Sequence, residues 1–190
     1  MPPKTQITKN MIIETGLNII RDYGVESLNV RKIASAIKCS TQPIMYQFQT
    51  VDKLKDEIYF EADKYHTSYI MNADFINENP MLAIGLRYIK FAAEEKHMFR
   101  FLFQTDKYAN KSLDELIDNE DIAPIFLVLQ EQAEITEKQS KEAFAALFLT
   151  VHGIASLLAN NSMEYHEEYF KNILNNVFMG VIGNMKGGNV

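Results

Sequence analysis

Apolar residues recur along this chain every three to four positions, the spacing of helices rather than of strands. Ile12, Ile13, Gly16, Leu17, Ile19, Ile20 and Tyr23 form a first helical face, and Gly24 stands where a helix stop belongs. Asn29 can cap a second helix bearing Val30, Ile33, Ala34 and Ile37. Ser40 can cap a third, Thr41 to Phe48, with Pro43 in its first turn, where a missing N–H is tolerated. Thr50 then caps a long fourth helix through Leu54, Ile58, Ala62, Tyr65 and Tyr69, extending towards Phe75. After a break at residues 77–80 the pattern predicts a fifth helix over 81–104, a short one over 111–118 and another opened by Pro124. Thr136 can cap a helix ending near Ala159, and a last helix covers about 164–185. No strand pattern competes. The chain is expected to be all-α, with about nine helices.

The second and third helical patterns are separated by three or four residues, the layout of a helix-turn-helix. In the third, Ile44 and Phe48 lie four apart and share one face, which should pack on Ile33, Ala34 and Ile37. That leaves Thr41, Gln42, Tyr46 and Gln47 pointing outwards. Glutamine can pair with adenine through two hydrogen bonds, threonine can touch a thymine methyl, and tyrosine can bond a phosphate oxygen. Arg31 and Lys53 flank this helix in the first turns of its neighbours, where a cation opposes the helix dipole. Phosphates meeting those helix ends would offset that cost.

Charge sharpens the picture. The whole chain is acidic, with 19 basic and 25 acidic residues. Yet residues 1–55 carry eight basic side chains (Lys4, Lys9, Arg21, Arg31, Lys32, Lys38, Lys53, Lys55) against four acids (Glu14, Asp22, Glu26, Asp52), a net +4. The remainder is therefore −10 of the total −6. A basic head on an acidic body is the electrostatic footprint of a phosphate-facing module.

Composition narrows the alternatives. The single cysteine, Cys39, can form no internal disulfide framework or multi-cysteine metal site, and it fits a reducing compartment. No secretory signal is visible, and the most apolar run, 143–159, contains His152 and falls short of a membrane span of roughly 20 residues. A buried helix, no membrane partner and a cytoplasmic location are expected. The four histidines (His66, His97, His152, His166) are scattered, and no His-Glu-x-x-His, phosphate loop or Gly-x-Ser-x-Gly occurs. No enzyme, metal or cofactor is expected.

Residues 8–54 resemble the TetR family of bacterial one-component transcriptional regulators. The likeness rests on the Gly24 stop, the run Val30-Arg31-Lys32-Ile33-Ala34, Ser40, Ile44, Phe48 and the Lys53-Leu54 pair. It implies that Arg31, Ser40, Thr41, Gln42, Pro43, Tyr46, Gln47 and Lys53 face double-stranded operator DNA. There are departures: Lys38-Cys39 stands where the family has a Gly-Val turn, Met45 where it has a DNA-touching tyrosine, and Gln47 where it has His or Tyr. Tyr46 is positioned to replace the lost tyrosine. The expected division is a head over 1–54 and an effector-binding, dimerising body over 55–190.

In that family the last two helices pair two copies as a four-helix bundle. Here Phe144, Leu147, Val151, Ile154, Ala155 and Leu158 form a stripe, and Ile173, Leu174, Val177, Phe178 and Val181 complete the expected homodimer face. Ala145, Ala146, Leu149 and Ala159 leave the other side apolar too, and a helix apolar all round must be buried on both sides. The resemblance also implies an effector pocket in the body, with Tyr65, Tyr69, Tyr88, Phe91, Phe99, Phe103, Phe126, Phe148 and His152 as its walls. A ligand-released repressor results, acting on a palindromic operator and answering a small apolar or amphipathic effector, with the fourth helix as lever. The competing reading is a helical ligand-binding or protein-interaction protein that never meets DNA.

Overall fold

The computed structural model describes residues 7–72, 79–105, 112–117, 123–161 and 163–187. Among these there are ten α-helices and no strand: α1 (Lys9–Tyr23), α2 (Val30–Ala36), α3 (Thr41–Phe48), α4 (Val51–Met71), α5 (Pro80–Glu94), α6 (Lys96–Phe103), α7 (Leu113–Ile117), α8 (Ala123–Ala133), α9 (Glu137–Asn160) and α10 (Glu167–Gly187). The all-α expectation holds. The single helix expected over 81–104 is instead two, broken at Glu95, whose backbone (φ −116°, ψ 50°) leaves the helical region without a glycine or proline. The expected extension of α4 to Phe75 and the residues Asn77, Glu78 and Lys111 lie outside the described residues.

Caps explain most boundaries. Thr8 accepts from the Met11 N–H, Asn29 from Lys32 and Thr50 from Lys53. Thr136 and Gln139 form a reciprocal capping box at the start of α9. At the end of α1, Gly24 takes φ +82° and ψ 165°, a region open essentially to glycine alone, and its N–H closes on the Ile20 carbonyl at 2.8 Å.

The chain divides into two compact units. The first joins residues 1–67 to 95–105, so it takes in α6 besides the helices of the basic head. Its core contains Ile12, Ile20, Ile33, Ile44, Leu54, Ile58, Met98, Phe99 and Leu102, all but excluded from solvent. Burying each such side chain stabilises the unit by roughly 1.5–3 kcal/mol before entropy is counted. A Cβ at Gly16 would run into Ile58, so α1 and α4 approach as closely as they do because residue 16 has no side chain.

The second unit joins residues 68–94 to 106–190. Helix α5 is its centre: Met81 to Leu86, Tyr88, Ile89, Phe91 and Ala92 are all buried. It packs on α9, which also meets α8 and α10. One described helix, α9, is long and apolar enough to cross a membrane by length and composition, but its Phe144, Leu147, Val151, Ala155 and Leu158 are buried within this unit.

Candidate DNA-recognition surface

Helix α3 is short, and its two sides differ sharply. Ile44 and Phe48 are buried, as their spacing requires, in a unit where α2 supplies buried Ile33 and Ala34 and its C-cap, Ile37, is half-buried. Opposite them Thr41 and Gln42 are exposed, and Tyr46 is 88% exposed. Leaving a large aromatic ring almost wholly in water forgoes its burial energy. Such a ring is available to a partner. Pro43 is half-buried beside it.

The start of α3 is open. Ser40 occupies the cap position with extended backbone, but its hydroxyl makes no capping bond, contrary to expectation. Ser40 therefore leaves the Thr41 and Gln42 N–H groups uncapped, Pro43 having none, and such a terminus attracts anions. The turn before it runs through Lys38 at φ +55°, a left-handed conformation that a β-carbon disfavours. Glycine would take that conformation without this cost. Cys39 directs its thiol to the Ser40 carbonyl at 3.0 Å.

The end of α3 is closed. Gln49 stops the helix at φ +65° and returns its N–H to Met45 O at 2.8 Å. The Gln49 side-chain oxygen accepts from Lys53 Nζ at 2.7 Å. Gln47 donates from Nε2 to the Ile7 carbonyl at 2.9 Å, a bond that spacing within one helix could not reveal. Lys9 reaches Glu57 at 2.6 Å and lies 5.6 Å from the centre of the Phe48 ring. Lys9, Gln47, Phe48, Gln49, Lys53, Asp56, Glu57 and Phe60 line an open groove of about 630 Å³ beside this end. Arg31 and Lys53 are both exposed.

Within the same unit, α6 is fastened to α1 and α4. Arg21 Nε donates to both carboxylate oxygens of Glu95 at 3.0 Å, and Tyr65 OH donates to Glu95 at 3.0 Å. His97 Nδ1 lies 3.0 Å from the Arg21 carbonyl, and Tyr59 donates to Leu102 O at 3.2 Å. Burial and the Glu95 carboxylate together push the Tyr65 phenol above its ordinary pKa. This node was not legible as a group in the sequence.

The expected pocket walls divide between the units. Tyr65, Phe99 and Phe103 belong to the first, with Phe103 against His66 and Phe99. Tyr69, Tyr88, Phe91, Phe126, Phe148 and His152 belong to the second. There Tyr88 OH meets His152 Nδ1 at 3.0 Å, and Phe126, Phe144 and Phe148 continue the aromatic contacts. Burial lowers the His152 pKa, which favours the neutral imidazole. Tyr69 contacts Phe91 and bonds Glu94 at 2.5 Å.

The residues of the expected dimer stripe differ in exposure. Phe144, Leu147, Val151, Ala155, Leu158, Leu174 and Phe178 are buried in the chain's own second unit and offer little surface to another copy. Ile154, Ile173, Val177 and Val181 are half-buried. The outward apolar side carries Leu149, Leu157, Tyr169 and Met179, each at least half exposed.

At the level of sequence, no protein-family model and no curated protein matches the chain. Comparison of structures shows that the fold is TetR-like. It is similar to the crystal structure of a TetR-like transcriptional regulator from Rhodococcus sp. RHA1, with a TM-score of 0.64 over 92% of this chain and 96% of that one. Only 12% of residues are identical, so the likeness is one of fold.

Proposed function

We propose that this chain is a transcriptional regulator that binds a palindromic operator as a homodimer, represses, and is released by a small effector. The observation that carries the reading is the edge of α3: Thr41, Gln42 and Tyr46 exposed on a helix whose start carries no side-chain cap. Thr41 and Gln42 read base edges, Tyr46 and the open N–H groups hold phosphates, and Arg31 and Lys53 add charge on either side. Ser40 and Pro43 shape the entry of the helix.

Two copies meet through the outward side of α9 and α10, around Leu149, Leu157, Tyr169 and Met179 with half-buried Ile154, Ile173, Val177 and Val181 at its margin. A two-fold dimer presents two heads to half-sites about 34–36 Å apart. The effector binds at the aromatic cluster of Tyr88, Phe126, Phe148 and His152. A neutral imidazole among phenyl rings favours an uncharged, largely apolar compound with one hydrogen-bonding group. It releases DNA by binding the DNA-incompetent state more tightly, a coupling of roughly 1–3 kcal/mol.

The test is binding of the purified protein to DNA upstream of its own gene, followed by fluorescence anisotropy over a salt series, with and without apolar compounds. About six phosphate contacts imply a log–log salt slope near −5. Binding that is flat in salt, or absent from every duplex offered, would remove the DNA-binding reading in favour of a ligand-binding or interaction protein.

A further inference from the structure

The geometry points to Gln47 as a positioning residue for the recognition helix rather than a reader of bases. The inference rests on the DNA-binding reading above and assigns one of its outward residues a different task. Gln47 lies one residue beyond Tyr46, a rotation of about 100° around α3, which turns it from the exposed edge to the flank. There it is half-buried, and its Nε2 donates to Ile7 O at 2.9 Å, across 40 positions of sequence. The acceptor is a carbonyl oxygen, so only the amide's NH₂ end can face it, whichever way the group was drawn. Pairing with adenine uses both ends of a glutamine amide at once. One N–H of the amide is committed to Ile7, and that tie fixes the direction in which the remaining N–H and the oxygen point, along the flank rather than out from the exposed edge.

The bond has a place in the mechanics of the head. Ile7 directly precedes the α1 cap, Thr8, and the next residue, Lys9, is held by Glu57 and by the Phe48 ring. The start of α1 thus grips the last turn of α3, while the first turn of α3 is left open. One end of the helix is fixed by the protein and the other is free for the duplex. Gln47 sets the angle at which Thr41, Gln42 and Tyr46 arrive.

The experiment compares wild type, Gln47→Met and Gln42→Ala in two arms. In the first, affinities are measured for the selected operator and a panel of its single base-pair variants, well below the melting temperature of each protein. Gln47→Met should weaken binding to every duplex by the same factor, roughly three- to tenfold, as for one net hydrogen bond. The ranking of the panel and the salt slope should stay as in wild type, whereas Gln42→Ala should flatten discrimination at one base pair. Loss of discrimination at a single base pair in Gln47→Met, or undiminished affinity, overturns the inference. The second arm needs no DNA: in NMR spectra of the full-length protein the Gln47 side-chain amide should exchange slowly, and Gln47→Met should shift the backbone resonances of Ile7 and Thr8. A rapidly exchanging amide, or unmoved resonances, also overturns it. If this arm succeeds while no duplex binds wild type, the tie stands, the DNA-binding reading fails, and the role in positioning on DNA falls with it.

Discussion

Arg21 Nε sits 3.0 Å from each carboxylate oxygen of Glu95, joining residues 74 apart in sequence inside one compact unit. The carboxylate is the better shielded partner, and it also receives the Tyr65 hydroxyl. Glu95→Ala removes the acceptor from both donors at the start of α6. It should destabilise the protein by about 1 kcal/mol, within the range for charged hydrogen bonds near a surface. Arg21→Ala in the Glu95→Ala background should then cost little more, and urea denaturation of the four-member cycle measures the coupling.

His66 gives acid sensitivity a definite sign. Burial lowers its pKa from 6.5 to about 4. Between those values the unfolded chain holds a proton that the folded chain rejects, so stability is complete above pH 6.5 and falls as the pH drops towards 4. The full loss is about 3 kcal/mol. His66→Phe, which keeps a ring beside Phe103, should show a shallower fall in urea midpoint over this window than wild type. Equal pH profiles would contradict the assignment.

The turn into α3 carries avoidable strain. Lys38 at φ +55° is non-glycine in left-handed backbone. Lys38→Gly should stabilise the protein by about 1 kcal/mol, seen as a higher melting temperature. Gly24→Ala should do the opposite, since φ +82° with ψ 165° suits glycine alone and the new methyl would press on the Glu26 carboxylate.

The two sides of α9 make opposite predictions. Phe144 is buried, and Phe144→Ala should cost about 3–5 kcal/mol of stability. Leu157 is 50% exposed. On the proposed dimer, Leu157→Glu should leave the helical content intact yet shift sedimentation towards a monomer and weaken operator binding. A dimer undisturbed by Leu157→Glu would relocate the interface.

Helix positions were legible wherever a boundary has a chemical cause that is local. Asn29, Thr50 and Thr136 cap their helices, and Gly24 stops one. The break at Glu95 was not legible, because the apolar spacing from Leu82 to Phe103 runs through it and no proline or glycine marks it. Ser40 looks like a cap in sequence, and only the structure shows its hydroxyl elsewhere. On α9 the stripe expected to face a second copy includes Phe144, Leu147, Val151, Ala155 and Leu158, which are buried in the chain's own core, and Ile154, which is half-buried. A helix without a polar side carries no mark saying which apolar side faces inwards. The aromatics expected to line a pocket fall in both units, because spacing says which rings share a helix, not which neighbouring helix they meet. The exposed edge of α3 was readable because Ile44 and Phe48 fix its opposite side.

The placement of α6 bears on how the head is made. Residues 95–105 complete a unit that otherwise ends at Thr67. A nascent chain therefore cannot close its first compact body when the helix-turn-helix leaves the ribosome. It must wait while the intervening stretch, including all of α5, is synthesised, a delay of roughly 2–8 s at ordinary rates of chain elongation. Throughout that interval the apolar flank awaiting Phe99 and Leu102 stays wet, which makes the half-born protein a natural client for chaperones.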